Sequence, residues 1–126
     1  MQVVPCDLFA FGNSTKPREP RIQGYEGRSY RIPDLRLDEN GMVGISPDSG
    51  ASTFADPTVP GLSGHYWRLP DSTNLAPDLA VIPDGTDNGG IHSPTHHTIY
   101  PCVKMLPVDF IAKFSNLPWE YVGKMP

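Results

Sequence analysis

Apolar residues in this chain come in short bursts closed by turn formers, and over most of its length they lack the repeat of three to four residues that marks a helix. Val3 to Phe11 (VVPCDLFAF) is apolar, aromatic and β-branched and ends at Gly12-Asn13, which predicts a strand, central in its sheet after Pro5. Gly64 to Leu69 (GHYWRL) and Leu79 to Ile82 (LAVI) predict two more. Thr95 to Tyr100 (THHTIY) predicts another, despite its histidines. Strand alternation sets Thr95, His97 and Ile99 on one face and His96, Thr98 and Tyr100 on the other. Ser29 to Pro33, Leu35 to Leu37 and Met42 to Ile45 read as brief extended pieces, with a turn at Asp38-Glu39-Asn40-Gly41. Ser46 to Ser52 is turn material leading into Thr53-Phe54. Only Pro107 to Leu117 reads as a helix, with Pro107 at its first position, Asp109 in its first turn and Val108, Ile111 and Phe114 on one side.

Proline explains the shortness of these elements. Fifteen prolines in 126 residues is more than twice the usual share of about 5%. Proline is kept out of helix interiors and central strands, so short strands and ordered loops are expected. Aromatic and aliphatic residues recur between the breaks, which argues against disorder. The expected architecture is α+β, mostly β, in one domain over residues 1–126 with one C-terminal helix.

Charge and cysteine content narrow the function classes. A net charge of −4 and a pI near 5.4 exclude a generally basic surface for nucleic acid or anionic membrane. Met1 to Pro5 holds no basic stretch followed by an apolar core, and no apolar run approaches the roughly 20 residues of a membrane span, so a cytoplasmic location is expected. Cys6 and Cys102 are expected to be buried thiols in a reducing compartment.

Several chemistries fail on spacing. His92 and His96 stand four apart, as zinc ligands on a helix do, but Pro94 lies between them and the general-base glutamate is missing. On a strand His96 and His97 point to opposite faces, so no metal is expected. Asp84, Asp87 and Gly89 lack the alternating acids and the bidentate glutamate of a calcium loop, and read as a solvated turn. Nucleophile-elbow, phosphate-loop and Gly-x-Gly-x-x-Gly patterns are all missing from the sequence.

Three segments remain. They are the polar turn Asp48 to Phe54, the run Ala80-Val81-Ile82-Pro83-Asp84-Gly85-Thr86-Asp87, and the strand Thr95-His96-His97-Thr98-Ile99. In this order they resemble the ADP-ribosyltransferase-like toxins of the Tse2 family, in particular its fungal-type relatives. Phe11-Gly12-Asn13, Gly64 to Pro70, Pro94 to Pro101 and Leu117 to Lys124 extend the resemblance over nearly the whole chain.

The resemblance implies a small split β-sandwich of the ADP-ribosyltransferase type, NAD as substrate, and cleavage of the nicotinamide–ribose bond. It also implies an acceptor for ADP-ribose and an immunity or antitoxin partner. Carried over by position, Ser52 and Thr53 contact the cofactor, Phe54 is its aromatic neighbour, and His96, with His97 in reserve, is the later polar group. Ala10 falls where relatives show an arginine, which implies impaired catalysis, whether the arginine was lost naturally or was replaced to make the toxin tolerable. Arg18, Arg21, Arg28 and Arg31 stand nearby in sequence, and an arginine restored at position 10 is expected to raise turnover. Two other readings stay open: an RNase using His96 or His97, and a non-enzymatic interaction module on the toxin scaffold. Read without the family, Ser52 and Thr53 satisfy turn backbone, Phe54 is core and the histidines are structural.

Overall fold

A computed structural model describes residues 2–22, 34–46, 49–58, 64–85 and 95–125. Among the described residues the protein is mostly β: a six-stranded sheet and one short helix. The strands are β1 (Leu8–Gly12), β2 (Ala51–Phe54), β3 (Gly64–Leu69), β4 (Leu79–Pro83), β5 (His96–Pro101) and β6 (Glu120–Met125), with α1 (Pro107–Ser115) between the last two. Their order across the sheet is β4-β5-β2-β1-β3-β6, and every neighbouring pair is antiparallel.

Proline and glycine set the boundaries. The expected first strand from Val3 begins only at Leu8. Pro5 breaks it, and the segment before Pro5 pairs elsewhere, with Val4 donating to the Thr73 carbonyl (2.8 Å) and accepting from Ser72 (2.8 Å). β1 is indeed central, and Pro83 and Pro101 close β4 and β5. Met42 to Ile45 forms isolated bridges through Val43 rather than a strand, one of them to Met105 just ahead of α1. Gly50 has to be glycine: an added Cβ would lie 2.4 Å from the Ile99 carbonyl oxygen of β5. Ser29 to Pro33 lies outside the described residues.

Alternation then sorts the sheet into two faces. Ala51 sits opposite Ile99, which sits opposite Val81, and Leu8 sits opposite Leu69. These side chains, with Leu79, are buried in one cluster with Phe110 and Phe114 of α1 and with Val4, Leu35, Val43, Leu75 and Met105. Each buried large side chain contributes about 1.5–3 kcal/mol, which makes this the face that holds the fold together. The helix begins with Pro107 as expected, but it buries Phe110 and Phe114 while Val108 is 66% exposed. Its end is fixed by the Trp119 indole, which donates to the Phe114 carbonyl at 2.9 Å. The thiols depart from expectation too: Cys6 is half-buried and Cys102 exposed, and both are free.

The turn at Asp38 gives a pH-dependent contribution to stability. Lys104 donates to Oδ2 at 2.8 Å, and the amides of Met42 (3.0 Å) and Asn40 (2.9 Å) donate to Oδ1. The Lys104 bond, followed by the Met42 amide, lowers the Asp38 carboxyl from 3.8 to about 2. A carboxyl more acidic folded than unfolded stabilises the fold above its unfolded value and loses that contribution as pH falls through its folded one. Wild type and Asp38→Asn are therefore expected to converge in stability between pH 3.8 and about 2. Acid-unfolding curves with a constant offset across that window would refute this.

Candidate functional site

The other face of the sheet carries the polar chemistry. β2 and β5 pair with Ser52 opposite Thr98 and Phe54 opposite His96. All four belong to this second face, because their strand neighbours Ala51, Thr53, His97 and Ile99 belong to the core face. The rings of Phe54 and His96 meet edge to face, with centroids 5.4 Å apart and planes at 74°. Ser52 and Phe54 are half-buried, whereas His96 is buried, at 3% exposed.

A carboxylate fixes this imidazole. β4 ends opposite His97, and the chain then turns so that the amides of Asp84 (3.2 Å) and Gly85 (3.1 Å) both reach the His96 carbonyl. The turn aims the Asp84 side chain back over β5. His96 Nδ1–H donates to Asp84 Oδ1 at 2.6 Å, and the Thr98 hydroxyl donates to Oδ2 at 2.6 Å. Asp84 and Thr98 are themselves buried. Charge-assisted bonds this short are strong in a dry setting, and they set the tautomer of the ring. The other ring nitrogen, Nε2, is buried as well.

The expected site residues divide between the two faces. Ser52, Phe54 and His96 come together. Thr53 and His97 do not join them: they sit opposite each other on the core side, where Thr53 Oγ1 donates to the His97 carbonyl (3.0 Å) and His97 Nδ1–H donates to the Thr95 carbonyl (2.8 Å). Their polar atoms satisfy backbone. Ala10 also lies on the core side, opposite Trp67 and 4% exposed. Position 10 and the group Ser52, Phe54 and His96 therefore lie on opposite faces of the sheet. Of the loop arginines, Arg21 pairs with Asp34 at 3.5 Å, and Arg28 and Arg31 lie outside the described residues, as does His92.

Asp84 and Thr98 are the residues that sequence reasoning passed over. Asp84 was expected to be solvated because it opens a run of turn formers. The available signal was the face shared by His96 and Thr98, with an acid at the end of an adjacent strand.

Among the described residues no three His, Cys, Asp or Glu side chains are grouped to hold a metal ion. Burial, then the carboxylates of Asp71 and Asp7, pushes the Cys6 thiol up, away from nucleophilic character. A hollow of about 460 Å³ lies apart from this face, beside α1, lined by Asp78, Lys104, Asp109 and Lys113 among others. No helix among the described residues is long and apolar enough to cross a membrane. Neither protein-family models, nor curated proteins, nor solved structures provide a match to the chain.

Proposed function

We propose that this chain is an NAD-cleaving domain of the ADP-ribosyltransferase toxin type, with its ligand face formed by Ser52, Phe54 and His96. One observation carries the reading: Phe54 and His96 are direct cross-strand partners, and Asp84 holds the imidazole from behind. The resemblance in sequence adds the substrate. The split β-sandwich that it implies is part of this proposal, for which the antiparallel sheet with one helix is the coarser frame.

The residues suit the demands of the reaction. Breaking the nicotinamide–ribose bond sends its electron pair to the ring nitrogen, so nicotinamide leaves neutral and positive charge develops on the ribose. A nucleophile then bonds to that carbon and gives up a proton. Phe54 offers a ring beside which nicotinamide packs, and the Ser52 hydroxyl and the His96 imidazole can each bond a ribose hydroxyl. The Asp84 carboxylate orients the imidazole and places a negative charge behind it, on the side where positive charge develops on the ribose. Each group acts by positioning and electrostatics, which orient the ribose before the bond breaks.

Purified protein is expected to release nicotinamide from NAD, and His96→Ala is expected to do so about 10²- to 10⁴-fold more slowly. Undiminished release by His96→Ala overturns the assignment of His96. Loss of RNA in producing cells with intact NAD would favour the RNase reading, and no change in either NAD or RNA would favour an interaction module.

A further inference from the structure

The row that joins His96 to Phe54 continues across the sheet. Phe54 of β2 sits opposite Phe9 of β1, Phe9 opposite Arg68 of β3, and Arg68 opposite Glu120 of β6. Cross-strand partners share a face, so imidazole, two phenyl rings, guanidinium and carboxylate stand in line on the side away from the core. At about 4.8 Å per strand the line from His96 to Arg68 measures about 14 Å, the scale of a dinucleotide. Tyr66 broadens the aromatic strip, with ring centroids 6.0 Å from Phe9 and 6.1 Å from Phe11.

The described strands bring few cations to this face. Arg68 and Lys124 are the only Lys or Arg residues in the six strands. Lys124 pairs opposite His65, which pairs opposite Gly12, and so belongs to the face of Ala10. Arg68 is thus the one permanent positive charge that the described strands bring to the face of Ser52, Phe54 and His96. Its Nε (3.1 Å) and Nη2 (2.7 Å) both donate to a single oxygen of Glu120, Oε1. Both side chains are close to half exposed, at 43% and 51%. An exposed pair of this kind is worth little and is readily given up.

We propose that Arg68 binds the diphosphate of NAD and that the dinucleotide lies across the strands, nicotinamide over Phe54 and phosphates at β3. This rests on the NAD reading of the site and gives it a direction. A guanidinium offers a fork of donors that matches phosphate oxygens, and Phe54 and Phe9 provide the apolar floor between the two ends. Position 10 is then not where the charge is needed: Arg68 stands one strand over and on the opposite face. Glu120, at the far end of the row, holds the guanidinium in place until phosphate replaces it.

The test is titration calorimetry of the full chain with NAD, ADP-ribose and nicotinamide. Arg68→Gln is expected to weaken NAD and ADP-ribose about ten- to a hundred-fold and to leave nicotinamide unchanged. Glu120→Gln breaks the same ion pair but keeps the guanidinium, so it should bind NAD at least as tightly as wild type. If the pair serves only to pin β6, the two variants will lose affinity together, and the proposal falls. Equal NAD affinity in wild type and Arg68→Gln also overturns it while leaving the NAD reading intact. A wild-type protein that binds neither NAD nor ADP-ribose removes the NAD reading and this inference with it.

Discussion

Asp84→Ala is expected to lower the melting temperature by about 10 °C or more. Asp84 is the shared acceptor for two buried donors, His96 Nδ1–H and the Thr98 hydroxyl, each at 2.6 Å. Truncation removes the acceptor that both share. An orphaned buried donor costs about 1–3 kcal/mol, and here there are two. Against a total stability of roughly 5–15 kcal/mol that loss is large. Asp84→Asn separates stability from chemistry. Its amide can still accept from Thr98, but it turns an N–H₂ toward the imidazole, so the ring must accept at Nδ1 and carry its proton on Nε2. The asparagine variant is therefore expected to retain most of its stability while its NAD turnover falls nearly as far as that of the alanine variant. Thermal unfolding gives the first quantity, and imidazole ¹⁵N shifts report the tautomer. A melting temperature for Asp84→Ala within about 2 °C of wild type would remove the clasp from the account.

This clasp marks where the sequence stops being readable. β3, β4, β5 and α1 follow from alternation, β-branching and the proline at the start of the helix. β2 does not. Ala-Ser-Thr-Phe is too polar to announce a strand, and it becomes one because β1 and β5 flank it and Gly50 lets β5 approach closely. β6 was hidden as well: it is an edge strand with a register shift opposite Tyr66 and Trp67, and Gly123 interrupts its pattern. In α1 the expected stripe through Val108 lost to one through Phe110, because two rings fill the core better than one valine.

The site divides in the same way. Periodicity alone separated His96 from His97, since neighbours on a strand face opposite ways. Which face was the core could not be read from β5, where His96, His97, Thr98 and Ile99 are all buried. Tertiary packing decided it. For the same reason the grouping of Ser52 with Phe54 and His96 was reachable from sequence, whereas the exclusion of Thr53 and His97 was not. Asp84 reaches His96 only because a tight β4–β5 pairing folds two distant residues together, and no local rule encodes that.

Parity makes its boldest statement at position 10. Ala10→Arg is expected to destabilise the protein by about 3–5 kcal/mol and to bring no gain in NAD cleavage. The alanine is 4% exposed, opposite Trp67 and on the core side of central strand β1. Among the described residues no carboxylate of β2 or β3 stands on that side to receive a guanidinium. The long side chain must overpack the core or thread toward Trp67 and His65 to reach water, and either route costs stability. A denaturant titration measures the loss, and nicotinamide release measures activity on the fraction that folds. The sharper contrast is with Arg68, where losing an arginine is expected to weaken NAD binding without comparable damage to the core. If Ala10→Arg instead folds with wild-type stability and cleaves NAD faster, the ligand lies on the face of Ala10, Thr53 and His97, and the row from His96 to Arg68 is not the binding surface.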